Sequence, residues 1–157
     1  MALEYRLVLA GDTPVEQVAG RAFPDPEELP TGVIPLLTAD LFDRYGFSVA
    51  VRAGRNGYVD VESDEGSWEW EPEAYVSLSF RMDKFADQPP LVINMLTAIR
   101  RVLNTGSEDA AFILNGDVLL LTRFDGKPVK HRRTWWENYP GAADLIPSSS
   151  GLSPDGA

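Results

Sequence analysis

With 157 residues, 44% hydrophobic and 24% charged, the chain has the size and composition of one globular domain that buries a core of its own. It has no cysteine and one histidine, which excludes a disulfide framework, a cysteine-based zinc site and a multi-histidine metal centre, so no metal or other cofactor is expected. The net charge of −10 works against nucleic-acid binding, whose affinity comes mainly from phosphate neutralisation by Lys and Arg, and favours a basic partner by electrostatic steering.

At the start, MALEYRLVLAGD, Leu3, Tyr5, Leu7 and Leu9 alternate with Glu4, Arg6 and Val8, which predicts a strand with one buried face. The alternation also differs from the basic segment and continuous apolar block of a signal peptide. Nowhere do about 18 apolar residues run together, so no membrane span is expected and a cytoplasmic location is. Thr13-Pro14-Val15-Glu16 has the capping-box form and opens a helix that ends near Phe23. PDPEELPTG, Pro24 to Gly32, is a proline-rich connector.

Thr38 is placed to cap a short helix, Ala39 to Tyr45, with Gly46 to stop it. Phe47, Val49 and Val51 alternate, GRNG at Gly54 to Gly57 supplies a turn, and Val59 and Val61 resume the pattern, predicting a hairpin. Ala74 to Met82 is the cleanest strand, with Val76, Leu78, Phe80 and Met82 on one face. From Pro90 to Asn104 the apolar residues follow a helical stripe, with Gly106 as its cap. Asn115-Gly116 joins Ala111–Leu114 to Asp117–Arg123 in a hairpin with a type I′ turn, and Val118 to Leu121, apolar on both faces, fits a central strand. The result is an α+β fold, a mainly antiparallel sheet with two to three helices packed on it. One domain is expected over residues 1–146, and a flexible tail over 147–157.

Two segments carry concentrated chemistry. ESDEGSWEWEPE, Glu62 to Glu73, holds six carboxylates and two tryptophans in twelve residues. As a contact surface for a basic protein it would use Glu62, Asp64, Glu65, Glu69 and Glu71 for steering and Trp68 and Trp70 as anchors. The structural alternative makes the tryptophans edge-strand residues packed on the core, with Glu69 and Glu71 facing water. A glycosidase-type acid pair needs two groups held at a fixed separation in a cleft, and clustered acids in a loop argue weakly for one.

The second segment, Lys127, Lys130, His131, Arg132 and Arg133, would suit an anion; its plainer role is local pairing with the chain's own carboxylates. His131 lacks the partners of a ligand or general base, and is expected to be exposed or locally bonded. Of Trp135 and Trp136, at least one is expected to enter the core. No G-x-S-x-G, G-x-x-x-x-G-K-[ST] or H-E-x-x-H sequence occurs.

MALEYRLVLAGDTP, the alternating AYVSLSFRMDK and the late EDAAFILNGDVLLLTRFDGK together resemble the Sit immunity family, protective partners of toxins exchanged by contact in myxobacteria. The likeness extends over most of Met1 to about Trp136 and is best over Asp109 to Gly126. It brings no catalytic motif. It implies a non-enzymatic protein that binds and neutralises a cognate toxin, acting as a monomer or weak homo-oligomer. The alternatives are a structural module that self-associates through a sheet edge or the Trp135-Trp136 surface, and a carboxylate-dependent hydrolase.

Overall fold

The computed structural model describes residues 3–147; of the predicted tail, residues 148–157 lie outside the described part. The chain runs β1 (Leu3–Ala10), α1 (Val15–Ala22), β2 (Thr31–Val33), β3 (Leu36–Leu41), α2 (Phe42–Tyr45), β4 (Phe47–Arg55), β5 (Val59–Ser63), β6 (Gly66–Trp70) and β7 (Ala74–Met82). It continues through α3 (Gln88–Asn104), β8 (Ala110–Leu114), β9 (Val118–Phe124), β10 (Lys127–Lys130), α4 (Arg133–Glu137) and α5 (Ala142–Leu145). The strands form one sheet in the order β2-β3-β4-β7-β1-β8-β9-β5-β6, with β10 on β9. Every pairing is antiparallel except the short parallel contact of β5 with β9. The α+β expectation holds, with five helices among the described residues in place of two to three. No helix among the described residues is long and apolar enough to cross a membrane.

Helix α3 explains the main core. Leu91, Val92, Met95, Leu96, Ile99 and Val102 recur at helical spacing and are buried, so one stripe lies against the sheet while Arg100 stays outside. Beneath it sit Tyr5, Leu7 and Leu9 of β1 and Val76, Leu78, Phe80 and Met82 of β7. Helix α1 adds Val15, Val18, Ala19 and Ala22. Trp135 and Trp136 are both buried in this core. The Trp135 indole donates to the Tyr5 hydroxyl at 3.3 Å, and the Trp136 indole donates to the carbonyls of Leu120 and His131. Both rings are therefore unavailable as a surface for self-association. Desolvation of the Tyr5 hydroxyl raises its pKa well above the usual phenol value.

A smaller cluster lies apart from the main core, where Val59 and Val61 of β5 pack with Val8, Ala111, Ile113 and Leu119. Strand β1 is thus buried on both faces near Val8, where a single buried face was expected. A bulge serves both clusters at once. Phe112 faces Leu121 and Ile113 faces Leu119, so the register skips Leu120; Leu119 joins the small cluster while Leu120 and Leu121 join the large one.

Four local expectations are corrected. Leu36–Leu41 is a strand, in which Leu37 and Leu41 are buried and Leu36, Thr38 and Asp40 exposed; pairing with β4 overrides the helix that Thr38 was placed to cap. Only one helical turn follows, and Gly46, at φ 85°, stops it as expected. Strands β4 and β5 do not form a hairpin. Asn56 and Gly57 donate their backbone N–H groups to the carbonyls of Glu73 and Pro72, and β4 pairs with β3 and β7 instead. The capping box is absent: Pro14 is the N-cap, with no side-chain cap bond, and Thr13 donates to Glu108 at 3.1 Å. Helix α3 closes at Thr105, and Gly106 instead leaves room for the Arg21 guanidinium and the Glu108 carboxylate. The Asn115-Gly116 turn is as predicted, with φ of 52° and 76°.

Candidate functional site

The acidic segment folds as the β5–β6 hairpin, with its turn at Asp64-Glu65. Its register sets Val59 opposite Trp70, Asp60 opposite Glu69, Val61 opposite Trp68 and Glu62 opposite Ser67. Since side chains alternate across a strand, the valines and tryptophans share one face and Asp60, Glu62 and Glu69 the other. Burial follows this division: the valines are buried, Trp68 and Trp70 partly so, and the three carboxylates exposed. The tryptophan rings pack on Phe124, with centroids 5.9 and 5.2 Å away. Both tryptophans therefore hold the hairpin to β9, on the side away from the carboxylates.

Asp64 has a structural partner at the other end of the chain. Its carboxylate accepts the Arg132 N–H at 3.0 Å, and its own N–H points to His131 Nδ1 at 3.4 Å. Arg132 has φ 57°, a conformation unfavourable for a side chain with a Cβ, so this bond helps to hold a strained position. His131 is buried and locally bonded. Lys130 spans the Trp136 ring, 4.9 Å from its centroid, and donates to the Ala143 carbonyl; burial lowers its pKa. The basic run thus divides between docked residues, Lys130 and His131, and exposed ones, Lys127, Arg132 and Arg133.

Glu62, Glu65, Glu69 and Glu71 remain exposed and make no ion pair with any described residue. Tyr58, exposed beside them, faces Asp60 and Glu69; desolvation and then these two carboxylates raise its pKa. A shallow cleft of about 490 Å³ joins Tyr58 to Glu71 and Glu73. Sequence reasoning passed over Tyr58 and Asp60, although the alternation of VDVES places Asp60 on the same face as Glu62. Among the described residues, no group of three or more His, Asp or Glu side chains is placed to hold a metal ion.

The carboxylate with the most internal partners lies elsewhere. Glu108 accepts from Arg21 at 2.7 and 3.0 Å and from Thr13, with Arg123 at 3.8 Å. The Arg21 hydrogen bonds hold its pKa down at about 2. Arg123, buried on β9, donates to the carbonyls of Leu103 and Glu108, and Arg21 to that of Val102. Two guanidinium groups thereby bond two of the last carbonyls of α3, which have no partner inside the helix. This network secures the scaffold, tying α1 and β9 to the end of α3.

A family model described as SitI3-like matches residues 3–140. No curated protein and no solved structure matches the chain.

Proposed function

The chain belongs to the SitI3-like family, and from that membership we propose that it is a non-enzymatic, cytoplasmic immunity protein that binds and neutralises a cognate bacterial toxin. The observation that carries this reading is the family match over most of the chain. The net charge of −10 and the unpaired, outward-facing carboxylates of the β5–β6 hairpin support it, because a basic toxin is steered onto such a surface. On this reading Glu62, Glu65, Glu69 and Glu71 make the electrostatic contact, while Asp64, Trp68 and Trp70 fix the hairpin that carries them.

The test is co-expression with each candidate toxin gene found in the neighbourhood of this one. Restored growth together with a stoichiometric complex of purified proteins is the expected outcome; toxicity undiminished by the chain would sink the proposal. A self-associating module has one structural feature in its favour, the exposed edge strand β2. Sedimentation separates the two readings, since an assembly module forms concentration-dependent oligomers without a toxin.

A further inference from the structure

The hairpin formed by β2 and β3 carries a cluster of exposed aliphatic side chains. Val33 is 86% exposed, Ile34 60% and Leu36 41%, and Thr31 to Leu37 contains no charged residue. Edge strands are ordinarily protected by charge or by a covering element, and clustered exposed aliphatic groups mark contact sites. Ile34 also forms one side of an open cleft of about 460 Å³, a volume in the range of side-chain and ligand pockets.

The cleft lies where the entry to α1, the end of β4 and the start of β7 meet. Pro14, Val15 and Ala53 give it apolar walls, and Asp12, Glu16 and Arg55 also line it. Neither Asp12 nor Glu16 makes an ion pair with a described residue. An apolar centre with a polar margin is the anatomy of a protein contact; here two carboxylates stand against the one guanidinium of Arg55, so the margin carries a net negative charge that favours a cationic partner.

We propose that this cleft receives an apolar side chain from a Lys- or Arg-bearing segment of the cognate toxin, with Ile34 closing over it and Asp12 and Glu16 meeting the flanking cation. The inference rests on the toxin-binding reading above and locates its anchor away from the hairpin tryptophans.

The probe is an inactivated form of the toxin that the chain neutralises in the co-expression test, titrated against the full chain, Ile34→Asp and Ala53→Phe. Ile34→Asp puts a carboxylate at an exposed position and leaves the unfolding midpoint unchanged; Ala53→Phe fills the cleft. Each is expected to weaken binding about 30-fold, the scale of a hot-spot residue, mainly through faster dissociation. If Ala53→Phe does not fold, Ile34→Asp decides alone. Unaltered affinity in the folded variants would overturn the cleft while toxin binding stands, whereas no binding by the wild-type chain would remove both. A dimer of the chain alone that disappears in Ile34→Asp would overturn the proposal in favour of a second copy as occupant.

Discussion

The Glu108 network and the β5–β6 hairpin are both rich in charge, yet they treat it in opposite ways. Around Glu108, one carboxylate and two guanidinium groups find hydrogen-bond partners within the protein, most of them shielded from water. On the hairpin, Glu62, Glu65, Glu69 and Glu71 have no cationic partner among the described residues, although a basic run lies near the hairpin tip. Internally satisfied charge fixes the position of elements, and its loss leaves partners buried without compensation. Exposed unpaired charge contributes little to folding, and its free energy is available for a partner. Substitutions in the first region should therefore change stability and leave association intact; those in the second should do the reverse.

The largest effect is expected where the C-terminal helices are pinned. Trp136→Ala removes a buried ring and the indole N–H that satisfies two carbonyls. It should cost about 3–5 kcal/mol, measured by denaturant unfolding. A loss below about 1 kcal/mol would mean that the C-terminal segment is not an integral part of the core.

Glu108→Gln comes next, at about 2 kcal/mol, because it weakens charge-assisted bonds to Arg21 and leaves two guanidinium groups without their anion. The pH dependence follows from the direction of the shift. The carboxyl falls from an ordinary value of 4.5 to about 2 in the folded protein, so its contribution is complete above pH 4.5 and is lost as pH falls toward 2. Wild type should lose stability more steeply than Glu108→Gln across that interval. Parallel acid-unfolding curves would show that the network is not coupled to folding.

What the sequence discloses depends on how local the cause is. The Asn115-Gly116 turn and the alternation of Ala74–Met82 depend on adjacent residues, and both are recovered. The division of Trp68 and Trp70 from Glu69 is legible too, as a period-two pattern. The pairing of β4 depends on residues distant in sequence, so Phe47 to Val61 looks like a hairpin although Val51 faces Leu37 and Leu78. Thr38 has the chemistry of a helix cap, but its backbone belongs to a ladder with Ala50. The cleft is still less accessible: Val15, Ile34, Ala53 and Tyr75 come from four separate segments, none of which carries a signature alone.

Asp64→Ala tests the boundary between the two regions, since this residue belongs to the acidic run yet bonds to Arg132. About 1 kcal/mol of stability should be lost, as for a capping carboxylate, with association unchanged. If association slows instead, Asp64 belongs with the exposed carboxylates.

The smallest effect on folding is expected for Glu69→Lys with Glu71→Lys. Both side chains are exposed and without an ion pair among the described residues, so the unfolding free energy should shift by less than about 0.5 kcal/mol. Reversing two charges removes the attraction that accelerates encounter, and association with a basic toxin should slow by about tenfold at low salt. The difference from wild type should shrink as ionic strength rises and the Debye length falls to about 8 Å at 0.15 M. Dissociation should stay nearly constant, because carboxylates at the margin set encounter while desolvated apolar contacts set lifetime. A stopped-flow series in salt separates these terms: an association rate independent of both charge and salt would move the contact off the hairpin.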